Sequence, residues 1–219
     1  MALTKFNYNS FDLTTAASKG LAFNSSANGF ETAAEGSMTL IKTLTASSDS
    51  TLSFVHGSND VVLDSTYPIY KFEFINIHPS TNAIFRFNLS TDSGSNYNVT
   101  KTSTNFRQLH RENDTETGLG YNTAEDLAQS TSDCSISSTV ATNSDDNLGG
   151  TLYLFNPSST TFVKHFMANT NVVHPDPASY NDFTAGYGNT TSAVNGIKFN
   201  FASGNIDSGT IKLYGIKDS

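Results

Sequence analysis

The sequence predicts an all-β protein: an antiparallel β-sandwich, jelly-roll-like, with one short connecting helix. Three observations predict it. Short segments in which apolar and polar residues alternate recur from Met38 to the C-terminus, separated by clusters of Asn, Ser, Gly and Pro. Charged residues are only 15% of 219, against roughly 25% in ordinary globular chains, while 16 Phe and 9 Tyr supply bulk for a core. Strand and helix patterns nowhere alternate at the spacing a parallel sheet requires.

Residues 1–37 carry neither period and read as an N-terminal arm or loosely structured segment; 38–219 read as a single sandwich domain. The strand pattern begins with "MTLIKTLT" (38–45) and "STLSFVHG" (50–57). "IYKFEFINI" (69–77) sets Tyr70, Phe72, Phe74 and Asn76 on one face and Lys71, Glu73 and Ile75 on the other. "AIFRFNLS" (83–90) alternates in the same way, and the intervening "HPSTN" supplies turn residues, so 69–90 is expected to be an antiparallel hairpin. Further strands are expected at 95–103 and 105–111. "YNTAEDLAQS" (121–130) is the expected helix, capped by Asn122 or Thr123 with Glu125 and Asp126 in its first turn.

A strand follows at Ile136–Val140, and "TLYLFNPSSTTFVKHFMA" (151–168) repeats strand, turn and strand. Residues 169–189, broken by Pro175, Pro177, Gly186 and Gly188, read as a long loop with a short piece around Tyr180–Tyr187. "AVNGIKFNFASG" (193–204) and "GTIKLYGI" (209–216) are expected to close the fold as a last hairpin.

The net charge of -8 disfavours nucleic acid and anionic membranes as partners. No stretch reaches the roughly 18–20 apolar residues of a membrane-spanning helix, and the opening "MALTKFNYNSFDL" lacks the apolar core of a secretory signal. Cys134 stands alone, which excludes an internal disulfide and a cysteine zinc site.

Chemistry-bearing motifs are scarce. There is no G-x-S-x-G, no H-E-x-x-H and no phosphate-binding glycine loop. The histidines (His56, His78, His110, His165 and His174) are scattered singly. Glu112, Asp114 and Glu116 alternate as hard oxygen ligands would, but lack the closing Glu of a calcium loop, so a solvated loop is expected. Glu73 has no evident carboxylate mate for glycoside hydrolysis. No catalytic residue, cofactor or metal is expected. Sequons begin at Asn24, Asn88, Asn98, Asn113 and Asn189, which the Asn/Ser/Thr-rich composition explains. Tyr97, Tyr121, Tyr180 and Tyr187, flanked by polar residues, are the candidate glycan-contacting aromatics.

The segments "YKFEFINIHPSTNAIFRFN", "LHRENDTETGLGYNTAEDLAQS", "GGTLYLFNPSSTTFVKHF" and "AVNGIKFNFASGNIDSGTIKLYGIKDS", with the opening "MALTKF", resemble structural proteins of tailed bacteriophages. The similarity is greatest to tail-fibre-like virion proteins of marine phages, including those infecting cyanobacteria. It covers about two-thirds of the chain, from Ile69 onward. It implies a non-enzymatic virion subunit, a tail fibre or adaptor, that assembles as a homo-oligomer with a trimer favoured. Other virion proteins and a host surface glycan are the implied partners. Such a protein assembles in a reducing host cytoplasm, in keeping with one free cysteine. A capsid decoration protein is the alternative within that class. A carbohydrate depolymerase is the alternative from another class, and a secreted lectin-like module a further one.

Overall fold

The computed structural model describes Leu21–Phe23, Ser26, Phe30–Thr32 and residues 36–218. β1 (Leu21–Phe23) and β2 (Phe30–Thr32) form a small antiparallel hairpin whose paired Phe23 and Phe30 stack at 4.9 Å between ring centres. This hairpin belongs to a first unit that ends at Thr39, and a second unit begins at Leu40. The rest of the arm expected over 1–37 lies outside the described residues.

The remaining strands are β3 (Met38–Thr45), β4 (Leu52–Val55), β5 (Ile69–Pro79), β6 (Ala83–Ser90), β7 (Lys101–Arg111), β8 (Thr117–Tyr121) and β9 (Cys134–Val140). They continue with β10 (Leu148–Phe155), β11 (Lys164–His174), β12 (Ala178–Gly188), β13 (Gly196–Phe201) and β14 (Ile206–Ile216). Eight form one sheet in the order β3-β14-β5-β10-β11-β12-β7-β8, and four form a second in the order β4-β13-β6-β9. The sheets pack as an antiparallel sandwich. β3 neighbours β14, β4 neighbours β13, β5 neighbours β10 and β6 neighbours β9. This nesting is consistent with jelly-roll wrapping, in which one long antiparallel ribbon folds over itself. β7, β8, β11 and β12 extend the larger sheet beyond that framework.

The core lies where the alternating faces of the two sheets meet. Tyr70, Phe72, Phe85, Phe87, Phe166 and Phe199 are buried, and rings interlock across the gap: Phe54 against Phe72 at 5.3 Å, Phe74 against Phe85 at 5.3 Å, Phe72 against Phe199 at 5.2 Å. Burying each such side chain stabilises the fold by about 1.5–3 kcal/mol relative to leaving it exposed.

Two expected hairpins take another form. β5 pairs with β14 and β10, and β6 pairs with β13 and β9. The "HPSTN" turn therefore carries the chain from one sheet to the other and makes an arch. The passage from β13 to β14 is a second arch, not the expected closing hairpin, and β3 to β4 is a third. The arches stack on one another: Ser80 N–H donates to the Asn205 carbonyl, Ser48 N–H to the Asp207 carbonyl, and Asn205 Nδ2 to the Ser48 carbonyl. An arch and a hairpin share one alternation pattern, since each needs apolar residues on alternate positions. They differ in whether the apolar faces lie side by side or opposed.

The long loop expected over 169–189 is instead most of a hairpin. β11 and β12 pair over eleven positions, from Lys164↔Gly188 to His174↔Ala178, around a turn holding Pro175 and Pro177. Their inward positions include polar Thr170, Asp182 and Thr184, which hides the apolar period. These side chains serve β9, the outer strand of the smaller sheet. Ser138 N–H and Oγ donate to the Asp182 carboxylate, while Thr170 Oγ1 donates to the Ile136 carbonyl and Thr184 Oγ1 to the Ser135 carbonyl. An edge that would otherwise present unmet backbone groups is thus closed by side chains.

The expected helix at 121–130 is absent; the described residues contain no helix. Tyr121 ends β8, and the segment after it lies along β7. Asn122 N–H donates to the Asn105 carbonyl, Ser103 N–H to the Leu127 carbonyl, and Lys101 and Ser130 exchange both backbone bonds. A helix of two turns is marginal on its own, and the unmet groups of β7 outcompete it. The strands expected at 95–103 and 105–111 merge into β7, with 95–100 as loop.

Candidate functional site: the outer face of the larger sheet

β7 is built with inverted parity. Its inward residues Lys101, Ser103 and Asn105 are polar and buried, so Phe106 points outward and is 42% exposed. The register carries this face across the sheet. Tyr121, Phe106 and Phe183 stand in one cross-strand row, and Ala185, Met167 and Tyr153 in the next. Phe106 and Phe183 stack with centres 5.0 Å apart and planes 11° from parallel. Met167 is 56% exposed, and Leu119, on β8, is 72% exposed. Beside them lies a shallow hollow of about 400 Å³ whose lining includes Phe155, His165, Met167 and Tyr187.

The apolar stripe ends in charge over β5. Lys71 Nζ and Glu73 Oε1 are 2.6 Å apart, and Lys71 also lies 5.9 Å from the centre of the Tyr153 ring. That ion pair raises the lysine's pKa and lowers the carboxyl's. Glu73 is thereby committed to a cation on an open sheet face.

Of the four candidate tyrosines, only Tyr97 lies in a loop, with Lys198 Nζ of β13 5.7 Å from its ring centre. Tyr121 is exposed on the outer face of the larger sheet and donates to Asp126 Oδ2 at 2.7 Å, which raises its pKa. Tyr187 shares that face, its ring 6.1 Å from His165. Tyr180 departs from the exposed position expected: it is buried, stacked on His174 at 4.1 Å, with Arg107 5.3 Å from its ring centre. The structure brings Tyr121 and Tyr187 onto one face and leaves Tyr97 and Tyr180 elsewhere.

The ionisable groups are dispersed. His110 meets Asp114 at 3.0 Å and Arg111 meets Glu116 at 2.6 Å, so the alternating carboxylates of 112–116 do not converge. His56 Nδ1 accepts from Leu63 N–H, and His174 Nδ1 accepts from Asp176 N–H, with burial lowering the His174 pKa. Among the described residues no group of three or more His, Cys, Asp or Glu is placed to hold a metal ion. Buried Lys101 donates to Asn88 Oδ1 and the Val99 carbonyl, and burial pulls its pKa down to about 8.

Sequence reasoning alone overlooked Phe106, Phe183, Met167 and Leu119. The parity of "KTSTNFRQLHR" points the wrong way: it sets Phe106, Thr102 and Thr104 inward and Lys101 outward, whereas Lys101 is buried and Phe106 exposed.

The fold and this face thus define a two-sheet sandwich with an apolar platform on its larger sheet. No protein-family model matches the chain, and neither a curated protein nor a solved structure matches it.

Proposed function

We infer that this protein is a non-enzymatic structural subunit of a phage virion, a tail fibre or adaptor-type component that assembles as a homo-oligomer. The observation that carries the reading is the outer face of the eight-stranded sheet. Phe106, Leu119, Tyr121 and Met167 face solvent in neighbouring rows, and a contiguous apolar surface of this kind marks an interaction site. An enzyme of the depolymerase class needs paired acid groups in a cleft; Glu73 lies on an open face, held by Lys71.

Jelly-roll wrapping recurs in viral capsid and lectin domains, which supports the reading by analogy of fold alone. The resemblance to tailed-phage structural proteins points the same way, and contact with a host glycan through Tyr121 and Tyr187 extends it. A capsid decoration protein has the same need for a buried apolar face.

Gold-labelled antibodies against the chain, applied to intact phage particles, separate the two locations. Label at the tail is the expected result. Label on the head alone replaces the tail assignment with the decoration protein, and no particle-associated chain overturns the virion reading.

A further inference from the structure

The sandwich has four strand edges, and three of them are blunted. β9 is closed by Asp182, Thr170 and Thr184, β4 is only four residues long, and β3 carries Lys42 at its middle. β8, five residues long, is short as well, but it has neither a charge nor a side-chain cover. Its sequence is Thr-Gly-Leu-Gly-Tyr, it carries no charge and no proline, and every residue of it is exposed.

The register shows what this edge offers. Arg111 N–H donates to the Glu116 carbonyl and Asn122 N–H donates to the Asn105 carbonyl, so the even-numbered residues turn their backbone groups toward β7. Thr117, Leu119 and Tyr121 therefore turn theirs away from the sheet, where no strand of the described chain lies.

We propose that β8 pairs antiparallel with β8 of a second copy of this chain, about a two-fold axis at Leu119, joining two larger sheets into one. The occupant is identified by the pairs that self-association brings together across residues 115–123, Thr-Glu-Thr-Gly-Leu-Gly-Tyr-Asn-Thr. Self-pairing sets Leu119 opposite the partner's Leu119, Gly118 opposite the partner's Gly120, and Thr117 opposite the partner's Tyr121. It also sets Glu116 opposite the partner's Asn122, a carboxylate facing an amide, with no like charges opposed.

The outward N–H groups of each copy then donate to the outward carbonyls of the other. Since dyads of an antiparallel ladder stand perpendicular to the sheet, the apolar stripes of the two copies lie on the same side and merge.

This contact rests on the reading of the chain as an assembling subunit, and it is two-fold. A trimer requires a heterologous contact elsewhere on the surface.

The test is the mass of the full-length chain in solution, read beside two variants. Leu119→Pro removes an N–H that β7 does not use, so it blocks a new neighbour and spares the existing ladder. Leu119→Cys places two thiols in a hydrogen-bonded antiparallel pair with Cα atoms about 5.5 Å apart, within disulfide reach; Cys134 is buried and does not compete. The expected results are a two-chain mass for the wild type, a one-chain mass for Leu119→Pro at unchanged melting temperature, and a covalent dimer of Leu119→Cys on mild oxidation.

An assembly that persists in Leu119→Pro, or a Leu119→Cys chain that stays associated yet does not cross-link, overturns the β8 contact and leaves the assembling-subunit reading standing. A one-chain mass for the wild type overturns both. Should Leu119→Pro not fold, Leu119→Lys serves in its place, and the cross-linking result decides independently.

Discussion

At Asp182 a carboxylate stands inside the sandwich because the edge strand above it needs its oxygens. Burial raises its pKa, while the Ser138 N–H and Oγ hydrogen bonds oppose the rise. Asp182→Ala leaves the Ser138 N–H enclosed without its acceptor, and a loss of about 2–3 kcal/mol is expected, read by chemical denaturation; Asp182→Asn, which keeps an acceptor oxygen, loses less. Lys101 poses the reverse case. Burial brings its pKa down to about 8, with Cys134 and Asp133 acting upward and Lys198 downward. Below pH 8 both folded and unfolded chains hold the proton and the ammonium is buried at full cost. Above it the folded chain releases the proton while the unfolded chain keeps it to about pH 10.4, so this group makes stability rise with pH. Cys134 works oppositely, because burial pushes its thiol up to about 11 and the folded chain keeps a proton the unfolded chain loses. Comparing the wild type with Lys101→Met isolates the lysine. The difference in unfolding free energy, read by chemical denaturation, is expected to move in favour of the wild type between pH 8 and 10, by up to roughly 1.4 kcal/mol per pH unit; a constant difference contradicts the assignment.

Among the elements, β14 shows why a chain end can be written as a clean strand. It lies between β3 and β5, and Ile206, Ile211 and Leu213 are wholly buried. Truncation after Asp207 removes a central strand and is expected to give insoluble or unfolded protein; a truncated chain with the native melting temperature contradicts this. Near its start, Gly209 has φ +114° and packs against the bulge at Asn76, where a Cβ would fall 2.4 Å from the Asn76 carbonyl oxygen. Gly209→Ala is expected to cost about 1–3 kcal/mol, measured by thermal unfolding. These elements also mark what was legible in the sequence. The alternation in β5, β6 and β14 identified inward residues correctly up to the bulge, after which Asn76 is exposed and Ile77 buried. Sheet membership was not legible, because arch and hairpin present one pattern. β12 and the second half of β11 were hidden by inward Thr170, Asp182 and Thr184, whose polarity answers a need of β9 that is distant in sequence. The helix expected at 121–130 failed for a related reason: its local signals were sound, but β7 offered the segment better backbone partners.

At the scale of the whole molecule, the arrangement divides into a framework and an extension. The eight nested strands and β11 enclose the phenylalanine core, and β12, β7 and β8 carry the larger sheet on to an edge without charge or proline. The outward rings of Phe106 and Phe183 and the side chains of Met167 and Leu119 all belong to β11 or that extension, where Lys101, Ser103, Asn105, Thr170, Asp182 and Thr184 put polar groups at inward positions. The candidate site was correspondingly hard to read: Tyr121 and Tyr187 were identifiable as aromatics, but the platform they share depends on a parity set by buried Lys101 and Asn105. The central claim is that this chain assembles with copies of itself. The mass of the full-length chain across a range of concentrations, measured by light scattering, tests it most directly. The account predicts a multiple of the 23.5 kDa chain, and a single-chain mass at every concentration contradicts it.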